Sequence, residues 1–350
     1  MTASLLAFFI ALAVSLALTI PVRSLALRVG MVDVPGPRKV HLQPIPLLGG
    51  LAMYAGVVLA ILLVFDGPAR AQSAGIVTGA TLVAAVGFLD DRGWLHHQIK
   101  LFVAMPVAAA ILLLSGVHAQ VFGLIVHGRL GSWLDAGLTV VWVVGITASF
   151  SILDHMDGLC AGVAATASIF FAILAYLNGQ TWVTTLAAAI LGAATGFLGW
   201  NFKPAKIFMG DGGAMFLGFL MATLGLKLRQ GNASFLAALL VPLFVLGVTI
   251  FDTTLVTISR SRRGLLPFTS PGKDHAAHRL ANLGLSERGA VLTLYGIGAL
   301  CGGAAVLVNY LSSTGAFFAG VVAVATVLGG VAALERAPYD RQFRDTNTPA

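Results

Sequence analysis

Eleven stretches of this chain are almost free of charge, and their continuity restricts the fold more than any other feature. They cover residues 2–22, 47–65, 72–89, 101–115, 134–153, 159–177, 181–200, 214–226, 234–258, 289–309 and 315–334. A run of about 20 apolar residues is long enough to cross the hydrocarbon core as a helix. Inside a bilayer the backbone must satisfy its own hydrogen bonds, so only helices or closed barrels can span it. These runs are continuous rather than alternating, which selects helices. Composition agrees: 58% of residues are hydrophobic and 10% are charged, with mean hydropathy +0.92. A soluble chain carries roughly 25% charged residues. The expected fold class is an all-α integral membrane protein with about eleven transmembrane helices and its active site on cytoplasmic loops. Residues 1–335 read as one polytopic domain and 336–350 as a short polar cytoplasmic tail. The first run has no basic segment before it, and Arg23 and Arg28 follow it, so it is expected to stay as a helix rather than act as a cleaved signal. Cys160 and Cys301 lack CxxC partners, so neither a disulfide nor a thiolate metal site is expected.

The placement of charge orients the bundle. Seventeen of the 21 Lys and Arg residues fall in segments on one side; Arg70, Arg129, Lys227 and Arg229 fall on the other. The positive-inside rule then puts the amino terminus outside and the carboxyl terminus in the cytoplasm, in a plasma or inner membrane. Asp33, Asp90, Asp91, Asp154, Asp157, Asp211 and Asp274 lie on that same cytoplasmic side. Alternating-access transporters keep ionisable groups near the bilayer midplane. Here Asp252, within 234–258, is the main exception, so chemistry at the cytoplasmic face fits better than passage through the membrane. The external segment 116–133 alternates apolar residues at Val117, Ala119 and Val121, as a short hairpin would.

Five cytoplasmic segments carry the unusual polar residues. The first holds Asp33, Arg38, Lys39 and His41, followed by Pro44-Ile-Pro-Leu-Leu-Gly-Gly50; it reads as a topology-holding loop or as a cationic clamp for phosphate. The second is Asp90-Asp91-Arg92 at the end of 72–89, with His96, His97 and Lys100 beyond. Two acids at a helix C-terminus oppose its dipole, so a capping role is weak there and a base or a metal–diphosphate contact explains them better. The third places Asp154 and Asp157 three residues apart, on one face of a helix or in a glycine-ended turn. The fourth is Asn-Phe-Lys-Pro-Ala-Lys-Ile-Phe-Met-Gly-Asp-Gly-Gly at 201–213, where Asp211 stands at a helix start and can either cap it or hold a divalent metal. The fifth is the loop 259–287, with His275 and His278 three apart and Arg279 next to them. Acids, cations and histidines at one membrane face suit a phosphate ligand bridged by Mg²⁺, which takes one or two carboxylates plus substrate oxygens.

R-K-V-H with P-I-P-L-L-G-G, F-L-D-D-R, D-H-M-D-G-L, N-F-K-P-A-K-I-F-M-G-D-G-G and D-H-A-A-H-R-L occur here in that order. Together they resemble the polyprenyl-phosphate N-acetylhexosamine-1-phosphate transferases of glycosyltransferase family 4, from about Asp33 to Leu280. The resemblance implies transfer of a sugar phosphate from a UDP-N-acetylhexosamine to a polyprenyl phosphate, with Mg²⁺ or alternatively Mn²⁺, releasing UMP. It implies Asp211 and Asp91 as metal ligands. Asp90, Asp91, Asp154, Asp157, His275 and His278 are implied as catalytic, one of the first pair serving as base. Arg38, Lys39, His41, Asn201, Lys206, Phe208 and Arg279 are implied as substrate-binding, with Phe208 stacking on uracil. The partners implied are the two substrates and the membrane, with no nucleic acid, and a homodimer remains open. The chain departs from the family at Ala148 and Ser151, where Asn is usual, at His155 for Gly, at Ala277 for the middle histidine and at Ala214 for Ser. The branch expected takes UDP-GlcNAc; rival readings are a UDP-MurNAc-pentapeptide transferase, a transporter and an inactive scaffold. A CDP-alcohol phosphotransferase is disfavoured because Gly162 follows Asp157-Gly-Leu-Cys-Ala161 where Arg is required.

The charge distribution makes a direct prediction. Reporters fused after Leu280 and after Ala350 will read cytoplasmic, and one fused after Gly67 will read external. A cytoplasmic signal at Gly67 would invert the topology.

Overall fold

The computed structural model describes residues 1–35, 43–65, 67–95, 97–126, 128–229, 234–266 and 272–337. The described chain is built of helices: α1 (Thr2–Arg28), α2 (Gly49–Val64), α3 (Gly67–Asp91), α4 (His97–Ile99), which runs through a π turn (Lys100–Ala104) into α5 (Met105–Leu114), α6 (Arg129–Leu153), α7 (Leu159–Leu177), α8 (Thr181–Asn201), α9 (Gly210–Lys227), α10 (Phe235–Val245), α11 (Gly247–Arg262), α12 (Ala276–Asn282), α13 (Glu287–Val308) and α14 (Ser313–Leu334). Two short strands, β1 (Val32–Asp33) and β2 (Ile45–Pro46), pair antiparallel beside the end of α1.

Each apolar run of the sequence falls on a helix, and this is a multi-pass membrane protein. Among the described residues, seven helices are long and apolar enough to cross a membrane by themselves, or eight if α10 and α11 form one broken span. The count of eleven crossings is therefore not reached on length alone, because α2 and α5 are shorter and α9 carries Asp211 in its first turn. Residues 234–258 do not form the single straight helix their hydropathy suggests. They bend by 75° at Leu246, where Pro242 cannot donate to the preceding turn and Gly247 starts a new axis. The described residues of segment 116–133 do not form the expected hairpin. Asp135 instead accepts the N–H groups of Val121, Phe122 and Gly123 at 2.9, 2.8 and 3.0 Å, curling the chain into a 3₁₀ turn at Phe122–Leu124.

Small residues let the helices approach closely, as expected where lipid gives no hydrophobic drive for association. α1 buries Ala7, Ala11, Ser15 and Thr19 at four-residue spacing against Gly192 and Gly196 of α8. The Ser15 hydroxyl donates to Ala193 O across that contact at 2.8 Å. α9 lies in the middle, buried from Gly212 to Leu224 and packed by α2, α3 and α6. Its amino-terminal end is held between two other glycines. A Cβ on Gly50 of α2 would sit 2.3 Å from Gly213 Cα, and one on Gly87 of α3 would sit 2.5 Å from Gly212 Cα. The start of α9 thus touches two helix backbones directly, with no side chain between them.

Gly87→Ala should force α3 and α9 apart and lower stability by about 1–3 kcal/mol, the usual cost of overpacking. Gly137→Ala, with nothing within 4 Å of its added carbon, serves as the control. Thermal unfolding in detergent should show a fall in melting temperature for the first variant and none for the second; equal values would show that the glycine contact does not set the packing.

Candidate active site

A cavity of about 920 Å³ lies at the end of the bundle where α1, α3 and α6 finish and α9 begins. Asp91, Asp154, Asp157, Asn201, Lys206, Phe208, Asp211 and His278 line it. Those four carboxylates come from three separate segments, Asp33 and Glu287 also line the cavity, and so do the cations Arg23, Lys203 and Lys206.

The cavity is organised by the first turn of α9. Gly210 turns the chain with φ +70°, and a Cβ there would strike Asp91 Oδ2 at 2.4 Å, so glycine is required on both counts. The carboxylate of Asp91, at the end of α3, accepts the N–H groups of Asp211 at 2.8 Å and Gly212 at 3.2 Å. Asp91, not Asp211, is the cap of α9. Its oxygens sit at the positive end of that helix dipole, where hydrogen-bond acceptors are favoured. Relieved of capping, the Asp211 side chain reaches into a polar cluster. Lys100 Nζ donates to Asp211 Oδ2 at 2.6 Å and to Asp90 Oδ2 at 2.7 Å, while Ser151 Oγ donates to Asp211 Oδ1 at 2.5 Å. Two carboxylates thus converge on a point that holds a positive charge.

The loop after α6 supplies Asp154 and Asp157. Burial, and then the charges of Asp211, Asp91 and Asp157, push the Asp154 carboxyl well above the usual range. Asp157 Oδ2 accepts the Ala205 N–H at 3.0 Å. Asn201 bonds to protein on both sides: Oδ1 accepts from Gly158 N and Nδ2 donates to Ile207 O, each at 3.0 Å. It stitches the loop of Asp157 to the loop of Phe208 rather than presenting a free amide. Phe208 is anchored through its backbone, its N–H donating to Pro46 O at 2.8 Å and its carbonyl accepting from Gly49 N at 2.9 Å. Lys206 Nζ lies 5.1 Å from the centroid of the Trp200 ring.

Two residues expected at the site stand behind it. His275 is 5% exposed and bonds through Nδ1 to Asp252 Oδ2 at 2.9 Å, away from the cavity lining. Arg279, expected to bind substrate, is fully buried. Its guanidinium donates to Asp274 O, Leu334 O and Ser259 Oγ and pairs with Glu335, so it ties α12 to α11 and α14. His278 faces the cavity while its helical neighbour Arg279 faces inward, as consecutive positions on a helix point in different directions. Burial, then the neighbouring His275 and Lys273, bring His278 down to about 4, so it is neutral at pH 7. Arg38, Lys39 and His41 lie outside the described residues.

Sequence reasoning did not select Lys100, Ser151 or His155 as site residues. The signal for Lys100 was a lone cation at the head of the run 101–115; nothing in the sequence told how far it reaches. Ser151 and His155 had been marked only as departures from a pattern.

The family model described as glycosyl transferase family 4 matches residues 73–229. A probable undecaprenyl-phosphate N-acetylglucosaminyl 1-phosphate transferase of Bacillus subtilis (strain 168) is 36% identical over 297 residues, covering 83% of this chain and 81% of that protein. A decaprenyl-phosphate N-acetylglucosaminephosphotransferase of Mycolicibacterium smegmatis is 35% identical over 355 residues, covering 92% and 86%. An undecaprenyl-phosphate alpha-N-acetylglucosaminyl 1-phosphate transferase of Escherichia coli (strain K12) is 28% identical over 298 residues, covering 82% and 79%.

Behind the cavity, Arg260 and Arg263 clamp Asp274. Burial acts to raise this acid, but bonds and charge from Arg260, helped by His275 and Arg263, outweigh it and hold the carboxyl at about 2. A depressed carboxylate adds stability that is full above its unfolded value near 4 and is lost as pH falls toward 2. Asp274→Asn should destabilise the fold by about 3 kcal/mol at pH 7, since it leaves buried guanidinium groups unpaired, and should flatten the acid limb of the wild-type profile. Unfolding temperatures measured from pH 7 down to pH 2 check this; an unchanged acid limb would remove Asp274 as its source.

Proposed function

Because the chain belongs to glycosyl transferase family 4, we propose that it transfers N-acetylglucosamine-1-phosphate from UDP-N-acetylglucosamine to a polyprenyl phosphate such as undecaprenyl phosphate. The products are polyprenyl-diphospho-N-acetylglucosamine and UMP, and the reaction is a first membrane step toward a cell-envelope glycan. The observation that carries this reading is the convergence of Asp211 and Asp90 on Lys100 at the start of α9, where Asp211 also lines a cavity shared with Arg23, Lys203 and Lys206. The names of the relatives agree in sugar and in lipid class.

In the reaction, an oxygen of the lipid phosphate attacks the β-phosphorus of the donor. A new P–O bond forms there, and the bond from that phosphorus to the bridging oxygen breaks, so UMP leaves with both electrons. Such transfers need positioning and charge neutralisation more than covalent machinery. Lys100 supplies positive charge at the acids, and Lys203 and Lys206 attract the two anionic substrates. Asp91 fixes Asp211 through the helix terminus. Asp154, its carboxyl raised by burial, lines the same cavity beside Asp211. Phe208 offers its ring at the cavity wall for the uracil.

The donor set fits Mg²⁺: Asp211 and Asp90 present hard carboxylate oxygens that already converge on a cation. These two residues would hold the ion, with Asp91 as support, and it would neutralise charge that develops on the diphosphate; Mn²⁺ would serve similarly. The cytoplasmic placement of the cavity, with the amino terminus outside, follows from the charge bias of the loops.

The test uses purified protein, polyprenyl phosphate, Mg²⁺ and three donors: UDP-GlcNAc, UDP-GalNAc and UDP-MurNAc-pentapeptide. UMP release should occur with the simple N-acetylhexosamines, UDP-GlcNAc giving the highest kcat/KM, and be negligible with the pentapeptide donor. Asp211→Asn should lower kcat by on the order of 100-fold or more while the melting temperature holds, because Asp91 keeps the helix cap. Turnover led by the pentapeptide donor would reassign the substrate. Wild-type turnover in Asp211→Asn would remove that residue from the metal site.

A further inference from the structure

At the wall of the cavity three imidazoles pack against one another, His155 and His278 lining it and His275 behind them. The His155 ring stacks on His275 with centroids 4.0 Å apart and lies 4.8 Å from that of His278. Neither ring nitrogen of His155 has a hydrogen-bond partner, and both atoms are buried. A buried donor or acceptor left unsatisfied costs about 1–3 kcal/mol. The two neighbouring imidazoles, not hydrogen bonds, surround the His155 ring. Its Nε2 instead points toward Asp252 Oδ2 at 4.0 Å, and that oxygen also meets His275 Nδ1 at 2.9 Å. Asp252 is 1% exposed, and its other oxygen accepts the Ala276 N–H at 2.7 Å.

We propose that His155, His275 and Asp252 bind a transition-metal ion, with Zn²⁺ chemistry, distinct from the acid cluster at α9. Their donor atoms all lie within 4.8 Å of one another. Bonds of about 2.0–2.1 Å at a tetrahedral centre place donor atoms roughly 3.3 Å apart, so modest side-chain movement brings these three onto one ion. Two imidazoles and a carboxylate suit zinc, cobalt or ferrous iron, whereas Mg²⁺ prefers oxygen ligands alone. Neutral imidazoles are the form that binds metal. On binding, the His275 proton passes from Nδ1 to Nε2, where Asp274 Oδ1 at 4.0 Å can accept it once Arg260, whose guanidinium faces Nε2 at 3.4 Å, turns to Asp274 alone. The ion would join three separated segments, the loop of Asp154 and Asp157, helix α11 and the start of α12, and so fix the wall of the cavity that carries His278. The site stands independently of the proposed transfer reaction.

The full-length protein, stripped of metal with a chelator and exchanged into Co²⁺, tests the proposal. One equivalent of Co²⁺ per chain should bind with visible d–d absorption, resist a large excess of Mg²⁺ and raise the melting temperature. His155→Leu should weaken Co²⁺ binding by on the order of 100-fold or more, beyond the loss typical of an outer-shell residue. The same variant should fold without metal, because it removes two unsatisfied nitrogens. Asp211→Asn should keep the cobalt spectrum. Failure of the wild type to bind Co²⁺, or binding that survives in His155→Leu, would overturn the proposal. Binding that Mg²⁺ displaces and that Asp211→Asn abolishes would overturn it as well, by placing the ion at α9.

Discussion

The contact on which the rest of the structure depends is the carboxylate of Asp91 against the first N–H groups of α9. A helix terminus leaves several backbone donors unsatisfied, and in a chain with so little charge few groups can meet them. Asp91 does so from a different helix, so the cap also fixes the angle between α3 and α9. The glycine contacts at Gly50 and Gly87 allow the approach, and the left-handed Gly210 clears space for the carboxylate. With that cap supplied from outside, the side chain of Asp211 projects into the cavity. The same geometry explains why two adjacent acids stand at the end of α3 against its dipole. Asp91 serves the dipole of another helix, and Asp90 shares Lys100 with Asp211.

Around this point the charges divide into two layers. The layer at the cavity keeps its acids close together, with Lys100 bridging Asp90 and Asp211 and burial raising the Asp154 carboxyl. The layer behind it is closed: Arg260 and Arg263 hold Asp274, Arg279 holds Glu335, and Asp252 holds His275. Buried pairs of this kind are costly to break and rigid once formed. They give α11, α12 and α14 a fixed relation at the end of the bundle that carries the cavity and position His278 at the cavity wall. The 75° bend at Leu246 brings Asp252 to this layer from within an apolar run.

The helices were legible in the sequence because a membrane leaves a long apolar run few alternatives. The break at 246 was not, since hydropathy averages over Pro242 and Gly247, and the turn after Val121 was not, since it depends on Asp135 reaching back from the next helix. The acids of the cavity were legible from their order along the chain. Their division of labour was not: Asp91 and Asp211 exchange the roles of cap and cavity acid that their positions on the helices suggest. Arg279 was misread for a similar reason, as a charged residue next to His278 looks the same in sequence whether it faces a ligand or a carbonyl. Lys100 lies 111 residues from Asp211, and only folding brings them to 2.6 Å.

If Asp211 and Asp90 form the seat of a hard divalent ion, Lys100 competes with that ion for the same oxygens. Titration of the purified protein with Mn²⁺, followed by electron paramagnetic resonance, measures this competition. Lys100→Met should bind Mn²⁺ several-fold more tightly than the wild type, with Mg²⁺ displacing it, since a positive charge has been removed from two carboxylates. Unchanged or weaker Mn²⁺ binding in Lys100→Met would mean that the two acids are held for Lys100 alone and that the ion sits elsewhere.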